Sequence, residues 1–375
     1  MHDFLYIHVP FCIRKCIYCD FFSVPYDESL ARTYINALCK ELYLKKDFVD
    51  RLKTVYIGGG TPSLLPYECF VELFECLNDN FNLCSDAEIT VEANPGAINE
   101  SGINTLLSLG VNRLSIGIQS FNDDELTILG RIHTSEDAIR SIEIIRKEGL
   151  RNFSIDLMYG IPGQTTNSWH SSISKAVELS PAHISAYELT PEVKTPLCEL
   201  IESNKIRMPD EEIILEMYNH TIDYLSSFGY EHYEISNFAL SGFRCIHNLN
   251  YWDRGEYVSA GAGAHSFLNE TRLRNTEHLQ TYIENLNCGI IPQIEETTVM
   301  RQEAHKEFLF LGMRKTEGIS IAKSEEFGLN IFGASRELID EGYLEVEKGY
   351  LKLTRRGIMI SNTVIVRLFE ILGLP

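Results

Sequence analysis

The sequence predicts an α/β protein built on a parallel sheet, followed by a smaller α+β segment of winged-helix kind. Three observations predict it. Six short apolar runs rich in Val, Ile, Tyr and Phe alternate with amphipathic stretches long enough for right-handed crossovers. Polar and Gly-rich residues cluster just after those runs, where parallel α/β architectures carry their sites. Beyond residue 298 the pattern changes to helices followed by a hairpin.

The strands are expected at residues 5–9, 54–58, 88–93, 113–118, 153–158 and 183–189, each reading as buried. Helical periodicity between them covers 29–48, 66–80, 134–148 and 167–179. This alternation fits either an open doubly wound sheet or an incomplete version of the eight-stranded barrel. From Thr190 the alternation stops. A long helix is expected at 210–228, an extended stretch at 230–237 and a Gly/Ala-rich segment at 259–266. Helices at 301–314 and 332–341 then precede a hairpin of 343–347 and 350–354 around Lys348-Gly349. The organisation expected is therefore 1–190, 191–298 and 299–375.

Composition narrows the function. The 375 residues hold 33 Lys+Arg against 53 Asp+Glu, a net charge of −20, so the counterion release that drives nucleic-acid binding has no source. Residues 299–375 carry equal numbers of basic and acidic side chains, which makes the wing a poor DNA reader. Hydrophobic residues at 44% and charged residues at 23% fit a globular chain with a large core. Neither a basic leader nor eighteen uninterrupted apolar residues occur, so a soluble, cytoplasmic protein that is not integral to a membrane is expected.

Of ten cysteines, Cys12, Cys16 and Cys19 form CxxxCxxC directly after the first strand. In a reducing compartment such a cluster points to metal rather than disulfide. Three thiolates can hold three irons of a cubane and leave the fourth without a protein ligand. The competing reading is a zinc knuckle, for which only His8 and Asp20 offer a nearby fourth ligand.

The string Tyr6-Ile-His8-Val-Pro10-Phe-Cys12-x3-Cys16-x2-Cys19-Asp20-Phe21, followed by Gly58-Gly-Gly-Thr-Pro62-Ser63, resembles the radical S-adenosylmethionine (SAM) superfamily. Within it the likeness is to the haem chaperone family, relatives of oxygen-independent coproporphyrinogen III dehydrogenase, and it runs over nearly the whole chain. The resemblance implies a partial (β/α)6 TIM-type barrel and a [4Fe–4S] cluster on Cys12, Cys16 and Cys19. It also implies SAM contacts from Tyr6, Tyr18, Gly59, Gly60, Thr61, Glu92, Gln119, Arg131, Asp156 and Thr190. From the residues alone, Gly58–Gly60 admit close backbone approach, Glu92 at a strand end suits ribose hydroxyls, and Arg131 with Asp156 reads equally as a structural ion pair. The implied chemistry is reductive cleavage of SAM to methionine and a 5′-deoxyadenosyl radical, which requires an electron donor and a closed chamber. Residues 261–266 and the C-terminal module are the expected closing elements, on position alone.

A second motif, Cys245-Ile-His247-Asn248-Leu-Asn-Tyr251-Trp252, lies outside the six strands. Read bare, one histidine beside aromatics is an ordinary packed residue. The HNxxYW string resembles the chaperones' haem-binding motif, which makes His247 the leading ligand, Cys245 an alternative thiolate, and Tyr251 and Trp252 packing faces for the macrocycle. Phe21 stands where the dehydrogenases carry a further Cys, and the first cluster Cys lies too near the start for their N-terminal extension. The expected function is accordingly haem binding and transfer to an acceptor haemoprotein. Oxidative decarboxylation of coproporphyrinogen III is the alternative.

Overall fold

The computed structural model describes residues 2–374. Strands β1 (His2–Val9), β2 (Val49–Gly59), β3 (Asn82–Ala93), β4 (Arg113–Gln119), β5 (Phe153–Tyr159) and β6 (His183–Glu188) pair in parallel, each beside its predecessor. That unbroken order decides between the two architectures. A doubly wound sheet reverses its strand order at a switch point, whereas a monotonic order with right-handed crossovers sends every helix to one side, as in a barrel wall.

Helices α1 (Glu28–Lys45), α2 (Tyr67–Asn80), α3 (Glu100–Ser108), α4 (Asp123–Leu129), α5 (Ser135–Lys147) and α6 (Thr166–Glu178) form that wall. Two of them, α3 and α4, are missing from the sequence expectation because nine and seven residues, two turns or a little more, give too little periodicity. Their caps were readable: the Asn99 and Asn122 side chains accept the first free amides of each helix. β2 and β3 also begin five and six residues before the expected positions, because their first residues are largely exposed and do not read as apolar runs.

The two faces of the sheet differ in chemistry. Leu5, Ile7, Val55, Ile57, Val91, Leu114, Ile116, Ile155 and Leu157 are buried against the helices. The alternate positions face inward and are mostly polar: Tyr6, His8, Thr54, Tyr56, Glu88, Thr90, Glu92, Arg113, Ser115, Ser154, Asp156, His183 and Ser185. Burial of both faces explains why the strands read as apolar runs broken by isolated polar residues.

Each edge of the sheet has its own cover. Val258–Ala260 adds a parallel strand beside β1, and the hairpin Glu231–Glu234 with Asn237–Ala239 adds antiparallel strands beside β6. The two ends of the strand order do not pair, so the barrel stays open. Glu41 of α1, fully buried, fixes the first edge by accepting from Gly261 N (2.8 Å), Asn275 Nδ2 (2.6 Å), Tyr282 Oη and the Lys45 ammonium at 2.5 Å.

Residues 299–374 form a separate core around Leu309, Ile331, Leu338, Leu351, Val364 and Leu368, with a three-stranded antiparallel sheet of Ile319–Ser320, Tyr350–Leu353 and Leu344–Glu347. The helix expected at 332–341 is split at buried Ser335 into Ile331–Ala334 and Arg336–Asp340. This module docks on the second edge, where Ile235 N donates to Arg314 O (3.0 Å) and Thr316 N to Tyr233 O (3.2 Å). No described helix is long and apolar enough to cross a membrane.

Candidate functional site: a sulfur-lined chamber at the strand ends

The carboxyl ends of the strands surround a chamber of about 490 Å³. It is built first by the loop after β1. Two-residue strands Phe11–Cys12 and Val24–Pro25 pair in parallel and tie the ends of a loop that presents Cys12, Cys16 and Cys19 to the chamber. Each sulfur has a hydrogen-bonding neighbour. Thr61 Oγ1 lies 3.8 Å from Cys12 Sγ, Arg131 Nη1 donates to Cys16 Sγ (3.5 Å), and the backbone at Phe21 contacts Cys19. Burial pushes the Cys12 and Cys19 thiols up as free groups. Three half-buried thiols with donors on their sulfurs suit thiolates bound to iron. The zinc reading lacks its fourth ligand: His8 has both ring nitrogens engaged, with Tyr6 Oη and Phe22 O at 3.0 Å each, and Asp20 is exposed. Among the described residues no three His, Cys, Asp or Glu side chains group around a single ion.

The glycines after β2 are required by their neighbours. Gly59 has φ +117°, and a Cβ there would stand 2.6 Å from the His8 ring; one on Gly58 would stand 2.9 Å from the Glu92 carboxyl carbon. The sequence reading expected them to admit a ligand's approach, and Gly59 and Gly60 do line the chamber, but their tightest constraint is the protein itself. Glu92 is held by Tyr56 Oη at 2.8 Å and Gly59 N at 3.0 Å. Burial pushes its pKa up to about 7 against those two donors.

On the opposite wall, β4 carries an irregularity between Gly117 and Gln119, where Gln119 adopts φ +70°, a strained conformation for a residue with a side chain. Asp156 accepts from Ser115 (2.6 Å), Ser185 (2.7 Å) and Ser154 (2.8 Å); burial raises its pKa and the serines oppose the rise. The ion pair considered for Arg131 and Asp156 is not formed. Arg131 instead reaches Cys16, Asn94 Oδ1 and Gly117 O. Tyr18 and Thr190 also line the chamber.

Tyr6 does not. Its hydroxyl bonds His8 Nδ1, and its ring lies beside Tyr56, which takes the lining position. Tyr56, Ser115 and Tyr187 are lining residues that sequence reasoning missed. The inward alternation of β2, β4 and β6 was the signal for them. Residues 261–266 and the C-terminal module do not line the chamber either; the first follow edge strand Val258–Ala260 and lead into a separate antiparallel strand, His265–Leu268, and the second covers the other edge. The rim comes from the cysteine loop, residues 130–133 and residues 187–192, with Phe21 65% exposed upon it.

The haem-motif residues lie at the other end of the barrel. Thr54 and Glu88 sit four residues before Gly58 and Glu92, about 13 Å along the strands. There Glu88 accepts the amides of Ile246 (3.2 Å) and His247 (3.1 Å), fixing the start of helix Ile246–Trp252, and Cys245 Sγ donates to it at 3.6 Å. His247 is 1% exposed. Thr54 Oγ1 bonds its Nδ1 (2.7 Å), Tyr251 Oη bonds its Nε2 (2.8 Å), and its ring stacks on Tyr56 with centroids 5.1 Å apart. Burial lowers its pKa to about 3 and that of Tyr251 rises well above the ordinary phenol. Neither nitrogen is presented to a ligand, and Cys245 is equally enclosed, its thiol pushed up to about 12 by burial. Trp252 has its ring Nε1 buried without a partner.

Comparison with known proteins places these features in context. A radical SAM superfamily model matches residues 6–176, and a HemN C-terminal domain model matches residues 299–360. Proteins named heme chaperone HemW from Bacillus subtilis (strain 168) and Escherichia coli (strain K12) are 36% and 35% identical to this chain. The first alignment covers 96% of this chain and 97% of the relative, the second 96% of each. Among solved structures, the radical SAM enzyme coproporphyrinogen III oxidase (HemN) from Escherichia coli matches with a TM-score of 0.83 at 20% identity, over 98% of this chain and 90% of its own. At that identity the match speaks for the fold.

Proposed function

The chain belongs to the heme chaperone HemW family of the radical SAM superfamily, and from that premise we propose that it binds haem and delivers it to an acceptor haemoprotein. The observation that carries the reading is the near full-length similarity to proteins of that name, joined to a chamber that assembles three cysteine sulfurs with Gly59, Gly60, Thr61 and Glu92. A [4Fe–4S] cluster on Cys12, Cys16 and Cys19 would supply an electron to SAM bound beside it. The protein's own part is to hold and orient. Glu92, with lone pairs beyond those used by Tyr56 and Gly59, would accept from ribose hydroxyls, while Gln119 and Asp156 would offer amide and carboxylate groups across the chamber. Tyr18 and Thr190 complete the wall, and we keep the division 1–190, 191–298 and 299–375 as the domain organisation proposed, supported by the separate C-terminal core.

Haem ligation by His247 requires helix Ile246–Trp252 to move, since both imidazole nitrogens are already bonded. The decisive experiment is a haem titration of anaerobically reconstituted protein followed by its Soret band, wild type against His247→Ala. At least tenfold weaker binding in the variant is expected. Equal affinity would take His247, with Cys245, Tyr251 and Trp252, out of the haem site, and no binding by the wild type would overturn the chaperone reading itself.

A further inference from the structure

We propose that Arg131 is a positioning residue of the cluster, its guanidinium hydrogen-bonded to the Cys16 sulfur so that it raises the cluster's reduction potential. This rests on the proposed three-cysteine centre and assigns Arg131 a task besides contact with SAM. Arg131 follows α4, in the turn that Gly130 makes with φ +76°. Nη2 is anchored twice, to Asn94 Oδ1 and to Gly117 O, both at 2.5 Å, and this leaves Nη1 directed at Cys16 Sγ, 3.5 Å away.

The charge environment isolates this cation. Among the described residues Arg131 makes no salt bridge with a carboxylate, and Asp156, the acid on the same chamber wall, is occupied by three serines. The other cations of the lining, Arg14 and Lys15, are exposed, and Lys15 is turned to Phe21 O at 2.8 Å. His133, beside Arg131, stays neutral with a pKa near 4, chiefly through burial. Cys12 and Cys19 have neutral neighbours, the Thr61 hydroxyl and the Phe21 backbone. Arg131 is therefore the interior positive charge nearest the sulfurs, and guanidinium does not lose its proton. A one-electron reduction adds one negative charge to the cluster, taken from a low-potential one-electron donor. A fixed cation in a region of low dielectric favours that added charge, and a hydrogen bond to a ligating sulfur acts in the same direction. Arg131 Nε is buried without a partner, so the same side chain keeps a donor for the carboxylate of SAM.

The test is redox potentiometry of the full chain, anaerobically reconstituted and without SAM, reading the paramagnetic signal of the reduced cluster. Arg131→Gln is expected to shift the midpoint to more negative potential, with Arg131→Lys between it and wild type because the charge stays while the fork is lost. Leaving SAM out separates the two roles: unchanged midpoints in both variants at full iron and sulfide content would confine Arg131 to SAM and overturn the proposal. Should Arg131→Gln fail to load a cluster, the Lys variant decides alone, a midpoint equal to wild type overturning it. Wild type with no iron or sulfide would instead bring down the cluster reading beneath it.

Discussion

Single buried side chains set the acid tolerance of this protein. His133, His183 and His247 are buried, and burial is the first cause lowering each pKa, to about 4, well below normal and to about 3. A folded-state pKa below the unfolded value means that the unfolded chain takes up the proton first, so stability falls as pH drops from about 6.5 toward 4. At pH 5 His133 and His247 each cost about 2 kcal/mol. Glu92 acts in the opposite sense: its folded pKa near 7 lies above the unfolded value, so its contribution is present at low pH and is lost as pH rises toward 7. The expected outcome in urea titrations is a midpoint that declines from pH 6.5 to pH 4.5, with a shallower decline in His247→Gln; parallel curves would show that His247 titrates alike in the folded and unfolded chain. These residues also mark how far the sequence could be read. Cys12, Cys16, Cys19 and Glu92 were legible as residues of one chamber because motif and strand end coincide, and Asp156, within its strand, by motif alone. Tyr6 was misplaced because two aromatic residues, Tyr6 and Tyr56, share the inner face and only packing decides which reaches the chamber.

At the scale of elements, strand–helix alternation was legible from residue 5 to residue 189, and the parallel pairing fell where apolar runs put it. Beyond it the longer elements were legible, the helix expected at 210–228 forming at Glu211–Ser227 and the C-terminal hairpin at Leu344–Glu347 and Tyr350–Leu353, but the short strands before residue 299 were not, because they gain their partners from distant parts of the chain: Val258–Ala260 from β1, and Asn237–Ala239 from β6. Helix Ile246–Trp252 belongs to the same class. It has seven residues, too few to stand alone in water, and its start is fixed by Glu88 of β3. Glu88→Ala would leave the amides of Ile246 and His247 without their acceptor, at a cost of about 1.5–3 kcal/mol for hydrogen bonds to a charged group. If haem uptake requires this helix to leave the barrel floor, the same variant should bind haem faster while unfolding at lower denaturant. Stopped-flow haem mixing and equilibrium denaturation read the two effects, and a less stable protein with an unchanged association rate would dissociate helix movement from haem entry.

For the whole molecule, the site and the C-terminal module are separate constructions. The chamber is lined only by residues between 12 and 192, while residues 299–374 have their own core and meet the barrel at the hairpin edge, where Lys315 pairs with Asp253 and Arg355 with Asp223. The exposed Arg355–Asp223 pair contributes little, whereas the Lys315 side chain is largely buried beside Asp253. The larger effect of the module is to cover strand Glu231–Glu234, which would otherwise present unpaired backbone groups to another chain. Ending the chain at Thr298 should then uncover that edge without touching any chamber wall. The shortened protein is expected to take up iron and sulfide as the full chain does, yet to self-associate, seen as a rising mass in light scattering with increasing concentration. A monomeric product that no longer holds iron would reverse the assignment, because it would make the module a support of the chamber rather than a cover for the sheet.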